Sequence, residues 1–157
     1  MLYSIISTPI GPLMLRGDTR ALTGLHLPGR HPATDGLLLD DERFADEARQ
    51  LAEYFDGTRR SFEIALRAAG GAFQCRVWAE LERIPYGETA SYGEIARRLG
   101  APAASRAVGA ANGRNPIAIV VPCHRVIGGS GSLTGYGCGL ECKRALLDLE
   151  AGRAALV

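Results

Sequence analysis

Residues 117–125 read IAIVVPCHR, an apolar run that ends in a proline, a cysteine and a histidine. The five apolar residues predict a short buried strand, and Pro122 restricts the backbone that follows it. We expect this arrangement to hold Cys123, with His124 beside it, at the wall of a pocket. Because a thiolate is a nucleophile and a thiol is not, this pairing favours nucleophilic chemistry. The alternative is that Cys123 is a small buried apolar side chain, the commonest state of an unbridged cysteine.

Length and composition are those of an ordinary globular protein. The chain has 157 residues, 46% of them apolar and 22% charged, enough for one core or for two small lobes that share an interface. No run is long enough for a membrane span and no signal peptide is evident, so we expect a cytoplasmic protein without a membrane partner. The four cysteines are expected to be reduced there.

The net charge of +1 hides an asymmetry. Residues 1–70 carry 8 basic and 10 acidic side chains, whereas residues 71–157 carry 10 basic and 7 acidic ones. The basic half contains the Cys-His pair, which weakly favours an anionic partner for that half.

The first half alternates between apolar segments and turns rich in Gly, Pro and Asp, and nothing in it has a catalytic pattern. His26 and His31 stand apart from any cysteine or carboxylate pair, so we interpret them as structural or surface residues. The spacing predicts a meander of strands, one helix and a returning strand, at Leu2–Ile6, Leu13–Leu15, Leu22–Leu27, Phe44–Phe55 and Phe62–Leu66.

The second half has helical spacing. An amphipathic face runs from Phe73 to Ile84, and Ser91 with Glu94 forms a capping box that opens a short helix. A second short helix, near Ala103–Asn112, follows the turn at Pro102. Two short helices joined by a tight turn predict a helix-turn-helix.

The second of these helices consists mostly of alanine and glycine, with Arg106 as its main large side chain. A helix that reads base edges in the major groove needs long hydrogen-bonding side chains, and this one has almost none. A smooth helix suits close approach to the minor groove with one arginine projecting into the base stack. The alternative is a small-residue helix packed tightly in the core.

Several segments occur together and in a fixed order, and in this combination the chain resembles the O6-alkylguanine-DNA alkyltransferases, also called methylated-DNA–protein-cysteine methyltransferases. The match runs from about Phe73 to Glu150 and more loosely to the N-terminus, where residues 7–13 fit. It is carried by IPYGET (84–89), SYGE (91–94), RAVG (106–109), NP (115–116), VPCHRVI (121–127) and residues 133–136.

The resemblance implies an α+β fold with two lobes. Residues 1–70 would form an RNase-H-like lobe with a small antiparallel sheet and a helix. Residues 71–157 would form a helical, winged-helix-like lobe with the helix-turn-helix and the reactive cysteine. The implied partner is double-stranded DNA, gripped in the minor groove largely regardless of sequence by a monomer that could be cooperative on DNA. No cofactor is implied, and no zinc is predicted because no cysteine precedes Cys75.

The implied reaction is repair by transfer of an alkyl group from O6-alkylguanine, and from O4-alkylthymine, to Cys123 after the base is flipped out. By similarity, His124 and Glu150 draw off the thiol proton, Tyr92 assists the departing base and Asn115 braces the turn at the site. Arg106 enters the base stack. The remaining implied residues are Ala107, Ala110, Ala111 and Gly113 on the DNA-binding helix, and Val126, Tyr136 and Gly137 in the pocket.

Because the product is a thioether that no neighbouring group in the sequence is suited to cleave, each molecule would act once. Two other functions remain open at this point. One is a lesion sensor that binds alkylated DNA without reacting. The other is a Cys-His-Glu hydrolase, for which Gly128 and Gly129 would supply an oxyanion hole.

Overall fold

The computed structural model describes residues 1–131 and 139–153. Its sheet begins with an antiparallel meander of β1 (Leu2–Ile6), β2 (Leu13–Gly17) and β3 (Leu22–His26), as the sequence predicts. A two-residue strand, β4 (Leu38–Leu39), adds to β1 in parallel, so the order is β3-β2-β1-β4. Leu13, Met14 and Leu15 of the inner strand β2 are fully buried, which places the core on both sides of this strand.

Helix α1 (Ala45–Phe55) provides the other wall of this core and buries Leu51, Tyr54 and Phe55. The strand predicted at 62–66 is wrong, because only a single bridge, Leu22 to Leu66, forms there. The amide of Gln50 accepts from the Glu63 N–H at 2.8 Å and donates to the Glu63 carbonyl at 3.0 Å. A side chain of α1 therefore takes the backbone bonds that a neighbouring strand would have made.

The second half is helical, and the helix-turn-helix is present. It contains α2 (Ala72–Leu81), α3 (Tyr92–Arg98) and α4 (Ser105–Gly113). The capping box at the start of α3 is confirmed, since the Glu94 N–H donates to Ser91 Oγ at 3.1 Å. The α3–α4 turn begins at Gly100 with φ +73°, a conformation that glycine adopts without steric cost.

The apolar run at 117–121 does not form the predicted strand. Ile117 bridges to Leu25 of β3, and the chain then reverses so that Ala118 faces Val121. Asn115 holds this reversal: its Oδ1 accepts from the Ile117 N–H at 3.0 Å and its Nδ2 donates to the Val121 carbonyl at 2.8 Å. Ile119 at the tip has φ 71°, the only positive φ of a non-glycine residue in the described ranges.

A single 3₁₀ turn, Cys123–Arg125, follows the reversal and leads into β6 (Val126–Ile127), which pairs in parallel with β5 (Ala90–Ser91). Helix α5 (Leu140–Glu150) then packs against the 3₁₀ turn. One apolar core runs through both halves of the chain. Within the described ranges, no helix is long and apolar enough to cross a membrane.

Candidate active site

The Cys123 backbone is held from both sides. Pro122, with φ −81° and ψ 65°, is the centre of an inverse γ-turn in which the Cys123 N–H donates to the Val121 carbonyl at 2.8 Å. Asn112 Nδ2 lies 3.4 Å from the Cys123 carbonyl. The side chain is reduced and 5% exposed. These constraints fix where the sulfur stands before any substrate arrives.

His124 and Glu150 meet in the interior, with His124 Nε2 2.6 Å from Glu150 Oε2 and both side chains fully buried. Glu150 is the last residue of α5, so the helix end brings the carboxylate to the 3₁₀ turn. His124 Nδ1 is buried and has no hydrogen-bond partner among the described residues. With Nε2–H donating to the carboxylate, Nδ1 carries a lone pair that can accept a proton.

The charge states of the pair follow from burial and hydrogen bonding. Burial alone would raise the pKa of Glu150, but hydrogen bonds and charge from His124 and Arg125 outweigh it and lower the pKa to about 2. Burial lowers the pKa of His124, and this exceeds the opposing effect of Glu150. At neutral pH the pair is therefore an ionised carboxylate and a neutral imidazole, which is the arrangement a general base needs.

Two further side chains bind the same carboxylate. Arg125 donates to both carboxylate oxygens of Glu150, from Nε to Oε1 at 2.7 Å and from Nη2 to Oε2 at 3.1 Å. Tyr54 of α1 donates its hydroxyl to Oε2 at 2.6 Å. The sequence does give a signal for Arg125, because it directly follows His124. No sequence signal links Tyr54 to a residue 96 positions away.

Lys143 is a third residue that sequence reasoning misses. Its side chain is fully buried, and Nζ donates to the Val126 carbonyl at 2.6 Å. Burial lowers the pKa of Lys143, whereas the nearby charge of Cys123 raises it. Its position seven residues before Glu150 places both on one face of α5, and that spacing is the signal in the sequence. Val126, a predicted pocket residue, is itself fully buried.

The predicted DNA-binding residues divide into two groups. Arg106, Ala107, Ala110 and Gly113 are exposed on α4. Ala111, which the sequence groups with them, is instead 3% exposed and faces the core, where its carbonyl accepts from Trp78 Nε1 at 2.8 Å. The helical repeat explains the difference, because Ala111 lies three positions after the buried Val108 and so shares its core-facing side of α4.

Tyr92, at the start of α3, is half-buried beside α4. A Cβ added to Gly109 would lie 3.7 Å from Tyr92 Cδ1 and Cε1, so the ring and α4 are in close contact. Asn115 acts on the reversal that precedes Cys123, as described above. The other two predicted pocket residues, Tyr136 and Gly137, lie outside the described residues.

Comparison with known proteins shows the family of this chain. Residues 1–68 match the family model of the 6-O-methylguanine DNA methyltransferase ribonuclease-like domain, and residues 72–152 match that of the DNA binding domain. The methylated-DNA–protein-cysteine methyltransferase of Mycobacterium tuberculosis is 53% identical over 97% of this chain and 93% of its own. That of Methanosarcina acetivorans is 50% identical over 96% and 98%.

Solved structures give the same result. The crystal structure of Mycobacterium tuberculosis OGT in complex with DNA has a TM-score of 0.94 and 52% identity, covering 98% of this chain and 95% of that one. The O6-methylguanine DNA methyltransferase from Methanococcus jannaschii has a TM-score of 0.67 at 28% identity, with coverage of 94% and 92%. The predicted α+β fold is confirmed, and the chain belongs to the O6-alkylguanine-DNA alkyltransferases, the methylated-DNA–protein-cysteine methyltransferase family.

Proposed function

We propose that this protein reverses DNA alkylation by moving the alkyl group of O6-alkylguanine onto Cys123, once per molecule. One observation carries the assignment. A reduced cysteine on a braced 3₁₀ turn is followed by a neutral imidazole, whose Nε2 binds an ionised carboxylate at 2.6 Å. These groups can fill the three roles of a triad, nucleophile, base and orienting carboxylate, with sulfur as the nucleophile.

The reaction balances without a cofactor. The Cys123 thiol gives up its proton toward His124 Nδ1, with a water molecule expected between them, and Glu150 stabilises the resulting imidazolium. The sulfur lone pair then attacks the alkyl carbon in line with its bond to O6, and that C–O bond breaks. Its electron pair stays with guanine, which leaves more readily when Tyr92 supplies a proton or hydrogen bond. The product is a thioether, so the protein is consumed.

We further propose that α4 binds the minor groove and that Arg106 replaces the extruded base in the stack. Exposed small residues at 107, 110 and 113 allow the helix backbone to approach the groove closely, and an exposed arginine has the length to reach between bases. We expect the protein to act as a monomer, to accept O4-alkylthymine as a second substrate, and to work in the cytoplasm.

The test is intact-protein mass after incubation with an oligonucleotide that contains O6-methylguanine. The wild type should gain the mass of one methylene and then stop, with Cys123 carrying the modification. Cys123→Ser should gain nothing. Cys75→Ser is the matched control, since it removes an exposed reduced cysteine and should react like the wild type.

Each competing function predicts a different result. A lesion sensor would bind the oligonucleotide with no change in mass. A Cys-His-Glu hydrolase would keep its own mass while consuming an ester or amide continuously. Either result with the wild type contradicts alkyl transfer.

A further inference from the structure

Tyr54 connects the sheet-containing half of the chain to the reactive half. It lies on α1, it is fully buried, and its hydroxyl donates to Glu150 Oε2 at 2.6 Å. The same oxygen lies 2.6 Å from His124 Nε2. One carboxylate oxygen is thus shared by the imidazole of one half and a phenol of the other.

The Glu150 carboxylate has a full complement of donors. Oε2 is approached by Tyr54, His124 and Arg125 Nη2, and Oε1 accepts from Arg125 Nε. A carboxylate has about four acceptor sites, so neither oxygen can rotate toward a new partner without losing a bond. Tyr54 provides the one donor of this set that belongs to the first 70 residues.

We infer that Tyr54 is a positioning residue for alkyl transfer: its hydroxyl fixes Glu150 and limits how strongly the carboxylate attracts the proton on His124. This role rests on the proposed function, because it requires His124 to accept a proton from Cys123. It gives the ribonuclease-like half of the chain a direct part in the reaction.

The donor is held in place and stays protonated. The Tyr54 ring packs edge-on against Phe55 and Tyr86, at centroid distances of 5.3 and 6.4 Å, and tilted against Phe62 at 5.5 Å. Burial, reinforced by the charge of Glu150, raises the pKa of Tyr54 well above its ordinary value of 10.0. The hydroxyl therefore remains a donor throughout the working pH range.

A hydrogen bond to a carboxylate spreads its negative charge and makes it a weaker acceptor for its other partners. Removing the Tyr54 hydroxyl should strengthen the bond from Glu150 to His124 and raise the pKa of the imidazole. The other titratable or charged groups around the Tyr54–Glu150–His124 contact are Tyr86, Arg60, Arg125, Lys143 and Cys123. None of these is changed by Tyr54→Phe, which keeps the ring.

The experiment measures the single-turnover rate of methyl transfer from an O6-methylguanine oligonucleotide between pH 4.5 and 9, a range that extends below the ordinary titration of histidine because burial lowers the pKa of His124. Tyr54→Phe should react about three- to tenfold more slowly at its optimum. The acid limb of its pH profile should move up by about half a unit, because His124 is protonated more easily. Tyr86→Phe is the matched control, a neighbouring tyrosine of the same aromatic cluster, and should keep the wild-type acid limb.

The displacement of the acid limb decides the matter. A Tyr54→Phe protein with an unmoved acid limb overturns the inference, whether its rate is normal or reduced, because a purely structural role lowers the rate without changing a titration. If the wild type itself fails to gain mass, it is the proposed function that fails, and the two failures are therefore distinguishable.

A second variant covers the case in which Tyr54→Phe does not fold. Placing 3-fluorotyrosine at position 54 keeps the hydroxyl and makes it a stronger donor. The acid limb should then move to lower pH, the opposite direction from Tyr54→Phe. No movement with this substitution also overturns the inference.

Discussion

At the scale of single residues, the site depends on how one buried negative charge is compensated. Arg125 is 7% exposed and contributes two hydrogen bonds to Glu150, and its Nη1 donates to the Ile84 carbonyl at 2.7 Å. A buried carboxylate that loses its cation is strongly destabilising, since the remaining charge has neither water nor a partner. Arg125 therefore stabilises both the fold and the ionised state of Glu150.

We expect Arg125→Ala to lower the free energy of unfolding by about 3 kcal/mol or more, measured by urea denaturation at pH 7. Arg60→Ala is the control. Arg60 is exposed, and its guanidinium lies over the ring of Tyr86, 5.4 Å from the ring centroid. Its removal should cost less than about 1 kcal/mol. Equal losses in the two variants would mean that the ion pair with Glu150 adds nothing to stability.

The residue scale also shows what the sequence can and cannot predict about the site. Cys123 and His124 are adjacent, and the triad logic then asks for a carboxylate, which the family resemblance assigns to Glu150. The two other ligands of that carboxylate are harder to find. The sequence shows Arg125 as a neighbour of His124 but does not show that it binds Glu150. Tyr54 reaches Glu150 only because α1 packs against the second half of the chain.

At the scale of elements, α4 is the helix whose composition is most unusual. It presents Arg106, Ala107, Ala110 and Gly113 outward and packs Val108 and Ala111 inward. An exposed face of small residues with one long cation suits insertion into a groove rather than reading of base edges.

We expect Arg106→Ala to slow repair of duplex DNA by about tenfold or more, since extruding a base costs a few kcal/mol. Reaction with free O6-methylguanine base, where nothing has to be extruded, should change little. Both rates are measured as mass gain under single-turnover conditions. Arg114→Ala removes a charge just beyond the same helix and should reduce duplex repair less. An equal loss on duplex and free base would remove Arg106 from any role in extrusion.

Element boundaries explain where sequence reasoning fails. The amphipathic helices and the meander were predictable because their periodicity is local. The run at 117–121 has the composition of a strand, yet it reverses: the Val121 N–H donates to the Ile117 carbonyl at 3.0 Å, and the Asn115 side chain binds the Ile117 N–H and the Val121 carbonyl. The segment at 62–66 loses its strand for a similar reason, because Gln50 binds the Glu63 backbone. In both places a side-chain amide binds backbone groups that a neighbouring strand would otherwise bind. The spacing of apolar residues does not reveal such side-chain bonds.

At the scale of the whole molecule, stability should depend on pH through buried groups that are neutral or paired. Burial, with added effects from Arg16 and His31, lowers the pKa of His26 from 6.5 to about 4. Between these values the unfolded chain binds a proton that the folded chain does not, so stability falls as the pH drops through that window. The pKa of Glu150, lowered from 4.5 to about 2, extends the loss to more acidic pH with the same sign.

We expect the free energy of unfolding to decrease between pH 7 and pH 4.5 and His26→Gln to remove about 1–2 kcal/mol of that decrease, allowing for the partial exposure of the ring. The measurement is urea denaturation at the two pH values. His31→Gln is the comparison: it leaves His26 in place and removes only the smallest of the three causes of its lowered pKa, so it should recover much less of the decrease. A His26→Gln protein that loses as much stability on acidification as the wild type would contradict this assignment.

The bond between Tyr54 and Glu150 has a consequence for protein engineering. A chimera that joins the ribonuclease-like segment of one relative to the DNA-binding segment of another would draw the phenol and the carboxylate from different parents. Such a hybrid could inherit every residue of the 3₁₀ turn. It would still be catalytically impaired if α1, the helix that carries Tyr54, were displaced by a fraction of an ångström. The chain should therefore be recombined as a whole, with the boundary between its two segments treated as part of the reaction centre.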